Sequence, residues 1–112
     1  MNNKQIITDE DVEKAVGFLI STAEKAAKYK AERIYLTEYR KSLKALLMKD
    51  NLDLPISAQE REAYASPVYI SHLDSLRSAI ERDEKQRFLR IAAEAKIEAW
   101  RSMSANIRAV KL

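Results

Sequence analysis

The chain has no cysteine, one glycine, two prolines, one tryptophan and one histidine in 112 residues. Without cysteine there is no disulfide framework, no thiolate nucleophile and no thiolate-ligated metal. A reducing cytoplasm suits such a chain. A single glycine excludes a glycine-rich phosphate loop. Two prolines leave long stretches with nothing to break a helix. His72 is the sole histidine, and no nucleophile or carboxylate is placed beside it by a local motif. Long apolar runs are missing too, so nothing approaches the roughly 20 residues that span a bilayer. The opening MNNKQIITDED has no continuous apolar stretch, which predicts no secretory signal. Together these absences predict no catalytic residue, no metal, no cofactor and no membrane span.

What remains is helix-forming material. Hydrophobic residues make up 46% of the chain and charged residues 33%. Ala, Leu, Lys, Arg, Glu and Ile dominate, and most of these are good helix formers. The length is enough for one domain, residues 1–112, with a modest core. The net charge of +3 is mild, but it is unevenly spread. Residues 25–49 hold eight Lys/Arg against Glu32 and Glu38, a net +6, while residues 1–24 and 50–66 are each net −3. A basic middle with acidic flanks makes a dipolar surface.

Start and stop signals divide the chain into three helices. Thr8 with Asp11 reads as an N-cap and its acidic partner. From there the pattern runs unbroken, predicting a helix over about residues 9–50. DNLDLP ends it, since Asn51 can cap and Pro55 pushes Leu54 into extended backbone. Ser57 with Glu60 reads as a capping box for a short helix at about 58–65. Ser66-Pro67 supplies an N-cap and a first-turn proline for a last helix over about 67–110.

Long helices must bury a face. In the first half of helix one the apolar side is Val12, Val16, Leu19, Ile20, Ala23 and Ala27. In the second half it is Tyr29, Leu36, Tyr39, Leu43, Leu46 and Leu47, almost opposite. That reversal predicts a bend near residues 27–35 or halves that pack on different partners, a second chain being the simplest. The last helix carries Tyr69, Leu73, Leu76, Ile80, Glu84, Phe88, Ile91, Ala95, Ala99, Met103, Ile107 and Val110. This stripe has a mean spacing of about 3.7, which suits a right-handed wrap. An antiparallel hairpin would set Arg33 opposite Glu84 as a polar layer, with Asp83 beside it. It would also set Gly17 level with Trp100, a missing side chain beside the largest one.

The stretch YKAERIYLTEYRKSLK, residues 29–44, mixes cations with aromatics. Lys30, Arg33, Arg40, Lys41 and Lys44 fall within about 100° around a helix. Tyr29, Tyr35 and Tyr39 lie outside that arc. Single-strand binders need exposed rings beside their cations, so the separation leaves two readings open. One is a solvated basic face with the tyrosines in a helix interface. The other is a polyanion site of Lys30, Arg40, Lys41 and Lys44. Trp100 with Met103 reads as core contact with helix one, or as a partner patch.

Residues 56–100, ISAQEREAYASPVYISHLDSLRSAIERDEKQRFLRIAAEAKIEAW, resemble a group of small phage and prophage proteins of unassigned activity. They are similar in carrying the ISAQEREAYASP turn before a long helix. The resemblance implies a virus-derived bacterial gene, accessory to phage DNA metabolism, and brings no catalytic residues with it. The expectation is therefore an all-α hairpin of two long antiparallel helices with a short helix at the bend. Self-association as a dimer would complete it as a four-helix bundle. Its function would be that of a non-enzymatic accessory or adaptor acting through protein contacts, or of a nucleic-acid-binding accessory using the basic face.

Overall fold

The protein is described by a computed structural model over residues 6–111, with Lys111 given by its backbone alone. The expected absence of a signal in residues 1–5 lies outside the described residues. The described residues are all-helical: α1 spans Asp9–Ser21, α2 Ala23–Met48, α3 Ile56–Ala65 and α4 Pro67–Lys111, with a 3-10 turn at Lys49–Asn51 after α2. None of these helices is long and apolar enough to cross a membrane.

The caps account for most boundaries. The Thr8 hydroxyl accepts from the Asp11 N–H at 3.1 Å, and the Asp11 carboxylate accepts from the Thr8 N–H at 3.0 Å. The Thr8 backbone N–H, and then its side chain, hold the Asp11 carboxyl below its ordinary value. The charged cap therefore stabilises α1 above the ordinary carboxylate range and fades as acid protonates Asp11. Ser66 has extended backbone and its Oγ accepts from the Val68 N–H at 3.2 Å, so α4 starts at Pro67. The expected cap of the short helix does not form. α3 begins at Ile56 with Pro55 as its N-cap residue and no side-chain bond there. Pro55 presets the backbone one residue before the first turn. The Gln59 amide donates back to the Leu54 carbonyl at 2.8 Å, closing the turn, and Glu60 faces Lys44 instead.

Helix one is not continuous. It breaks at Thr22, with φ −103° and ψ 4°, and not in the expected region of residues 27–35. The Thr22 hydroxyl donates to the Phe18 carbonyl at 2.6 Å and shares it with the Thr22 N–H at 3.0 Å. Such back-bonding bends helices. Arg90 of α4 then donates to the Leu19 carbonyl at 3.1 Å and to the Thr22 Oγ1 at 2.9 Å. The break is thus held by a guanidinium, which satisfies groups an uninterrupted helix would have bonded within itself.

The chain forms two compact units. One joins the residues up to Ala26 with those from Lys85 on, and the other is Ala27–Glu84. In the first unit Ala15 and Ala93 are buried, while Phe18, Leu19, Ile97 and Trp100 are half-buried. The Trp100 indole N–H donates to Asp9 Oδ1 at 2.8 Å. That lies about two turns from the register that would bring Trp100 level with Gly17. The expected Gly17–Trp100 packing is therefore absent, and a Cβ at Gly17 would meet nothing within 4 Å. In the second unit Leu43, Ala63, Tyr69, Leu76 and Ala79 are buried.

The buried face of α4 shares Tyr69 and Leu76 with the apolar stripe and otherwise departs from it. The covered positions include Tyr69, His72, Leu76, Ala79 and Asp83 in one unit, and Gln86, Arg90, Ala93, Ile97 and Trp100 in the other. They step by three and four in alternation, a period of about 3.5, shorter than the 3.7 of the apolar stripe. Ile80 and Phe88, from the 3.7-spaced stripe, are 38% and 59% exposed, whereas Ala79 is 1% exposed. Alanines and polar side chains let the backbones approach, and the larger apolar groups turn outward.

Open space at position 17 sets the outcome there. Gly17→Ala should raise the unfolding free energy by about 0.8–1 kcal/mol, the helix-propensity difference alone. Gly17→Leu should also be stabilising or neutral. Urea unfolding followed by circular dichroism measures both, and a loss of 1 kcal/mol or more for Leu would place a neighbour at that site.

Candidate functional site

In the second unit the helices meet at a charged layer. Arg33 Nε stands 2.9 Å from Asp83 Oδ2, and its Nη1 stands 3.4 Å from Glu84 Oε1. The Asp83 side chain is 11% exposed, while those of Arg33 and Glu84 are about one-third exposed. Asp83 thus lies deeper than Glu84 and makes the shorter contact. Arg82 and Glu32 form a further, exposed pair at 3.0 Å. In the first unit Gln86 is buried with its Nε2 unpartnered, beside Arg90 one turn on.

The basic residues of α2 do not form one free face. Arg33 is committed to α4. Lys41 pairs with Glu38 at 3.3 Å, both exposed. Lys44 stands 3.5 Å from Glu60 of α3 and 4.9 Å from the centre of the Tyr64 ring. A hydrogen bond with Tyr64 and the nearby Glu60 charge hold the Lys44 ammonium above the ordinary lysine value, against the pull of desolvation. It stays charged at neutral pH. Lys30 is exposed, and so is Arg40, which has no carboxylate against it among the described residues. Arg40, Lys41, Lys44, Tyr64 and Tyr69 line one cavity of about 480 Å³. Lys30 is not part of it. Tyr64 and Tyr69, in edge contact at 5.2 Å, carry no signal in the sequence that links them to the α2 cations.

The tyrosines of the opening stretch divide. Tyr29 is half-buried. Tyr35 is 64% exposed and stacks on Tyr39, with ring centres 6.0 Å apart. Tyr39 leans on His72 at 5.5 Å, and the His72 Nε2 is 2.8 Å from the Leu36 carbonyl, a separation at which the ring N–H donates. His72 is thus a helix-pairing residue with a carbonyl for a partner. No described group of three or more His, Asp or Glu could hold a metal ion.

No family model, curated protein or solved structure matches the chain. The residues themselves therefore carry the functional reading.

Arg33 is the cation whose removal strands another charge. Arg33→Met should cost about 2–3 kcal/mol, between the surface and buried limits for ion pairs, because Asp83 is left covered and unmatched. The double variant Arg33→Met with Asp83→Leu should recover most of that. Thermal unfolding of the four variants in a cycle measures it, and equal losses for the single and double variants would show that Arg33 contributes only its packing.

Proposed function

We propose that the chain is a non-enzymatic accessory or adaptor that works through helix-face contacts, the first of them with a second copy of itself. One observation carries the reading. Among the described residues seven hydrophobic ones are buried, four of them alanine, and no large side chain is fully buried. Val16, Ile20, Ile34, Tyr35, Leu46, Ile80 and Phe88 are all exposed. Two α-helices paired through alanine and charge gain little from burial. Exposed large apolar side chains that share a surface are a usual mark of a contact site, and Ile34 and Ile80 line one groove. A dimer that covered these groups would complete a four-helix arrangement. The resemblance of residues 56–100 to phage and prophage proteins supports reading this adaptor as the product of a virus-derived gene acting in a bacterial cytoplasm.

A second reading is a nucleic-acid-binding accessory using Lys30, Arg40, Lys41 and Lys44. The observation favouring it is the gathering of three of these four cations around one cavity.

Sedimentation equilibrium at micromolar concentration should return about twice the chain mass of 12.9 kDa. Ile34→Lys with Ile80→Lys should shift the equilibrium toward monomer while leaving the helical signal of the monomer unchanged. A fully helical wild-type monomer at all concentrations would overturn the first reading.

A further inference from the structure

Among the described residues the cavity between α2, α3 and α4 differs in kind from three other grooves. Arg40, Lys41 and Lys44 reach it from α2, Tyr64 from α3 and Tyr69 from α4, and no carboxylate lines it. The groove at Asp11, Lys14 and Lys96 mixes signs, as does the one at Arg33 and Glu38, while that at Asp50 and Glu62 is acidic. Arg40 also lies in line with the covered side of α2. The covered positions of α2 in this unit include Arg33, Leu36, Leu43 and Leu47, and residue 40 falls in step between Leu36 and Leu43, yet its side chain is exposed. No carboxylate stands against it among the described residues, and it lines the cavity.

We propose that this cavity is a phosphate-binding site for a nucleotide, free or at the 5′ end of a single strand. Arg40 supplies a planar fork of donors suited to two phosphate oxygens. Lys41 and Lys44 supply further positive charge. Their present partners are weak competitors: the Lys41–Glu38 pair is exposed and screened by water, and the Glu60 contact with Lys44 is long at 3.5 Å. A phosphate dianion outbids a single carboxylate for both ammonium groups. Tyr69 is buried at the edge of the cavity and Tyr64 stands half open at it. A volume of about 480 Å³ exceeds the needs of one phosphate and leaves space beside two aromatic rings for an attached base. The inference narrows the second reading above to one site, and it holds for a free nucleotide whether or not the chain binds a strand.

The test is isothermal titration of the full chain at low ionic strength. The probes are AMP, adenosine, and a short single-stranded DNA with and without a 5′-phosphate. AMP should bind and adenosine should not. Arg40→Gln and Lys41→Gln, both at exposed side chains, should each weaken AMP binding about tenfold, the loss of one charge-assisted contact. Lys14→Gln and Lys96→Gln, in the mixed-charge groove, should leave it unchanged. Circular dichroism checks that each variant keeps its helices. AMP binding without any strand binding supports the site and removes the nucleic-acid reading. Strand binding that depends on the 5′-phosphate and on Arg40 supports both. Failure of AMP and of both strands to bind overturns the proposal. So does binding that Lys14→Gln weakens as much as Lys41→Gln, since that would be diffuse attraction to a basic surface.

Discussion

Arg33 cannot leave its place between α2 and α4 without stranding Asp83. The Asp83 side chain is nearly covered, and the guanidinium 2.9 Å away is its cation. Burying a charge without a partner costs several kcal/mol, so the pair restricts which face of α4 can turn inward. With Asp83 inside, the residues one, two and three turns back on the same face are Ala79, Leu76 and His72. Ile80 and Leu73 are then rotated outward. The pair fixes register and face together, a role for which polar groups in helix pairs are best attested. Its net contribution to stability is small beside its effect on which alternatives are excluded.

The thin interior follows from the same choice. Helices that meet through Ala79, Asp83 and Arg33 in one unit, and through Ala15, Ala93 and Arg90 in the other, bury little apolar area. Leu43, Tyr69 and Leu76 are buried, but many of the other large hydrophobic groups stay exposed. This favours a molecule that meets a partner over one that encloses a substrate, which is the basis of the adaptor reading. The cationic cavity is a separate matter, because it lies where α3 crosses beside α2 and α4 and draws on side chains from all three.

Local signals were legible where the chemistry is local. The Thr8–Asp11 cap, the DNLDLP stop and the Ser66-Pro67 start each sit within a few residues and could be read directly. Arg33 and Glu84 each interrupt an apolar pattern, and the structure sets them 3.4 Å apart. Asp83 was visible beside them but not as the closer partner, since only the helix rotation decides between adjacent acids. That rotation is not legible in hydropathy, which follows large side chains, because here alanine, aspartate, glutamine and arginine share the inner face with Tyr69, Leu76 and Trp100. The break at Thr22 was hidden because threonine within a helix bends it only when its hydroxyl is turned back and the freed groups find a donor. That donor, Arg90, lies 68 residues away in sequence. The Gly17–Trp100 match rested on a single register for the whole hairpin, and Trp100 meets Asp9 instead. The cavity tyrosines were unmarked because Tyr64 and Tyr69 meet the α2 cations only after α3 has turned.

The face assignment on α4 can be read directly at two neighbouring residues. The chain has no cysteine, so a single introduced thiol is a clean reporter. Ala79→Cys and Ile80→Cys differ by one position, about 100° around the helix, with native exposures of 1% and 38%. Thiol labelling of dilute, folded protein should be slow at position 79, limited by opening of the helix pair, and fast at position 80. Fast labelling at 79 with protection at 80 would mean that the apolar stripe, and not the alanine and charged face, holds the helices together.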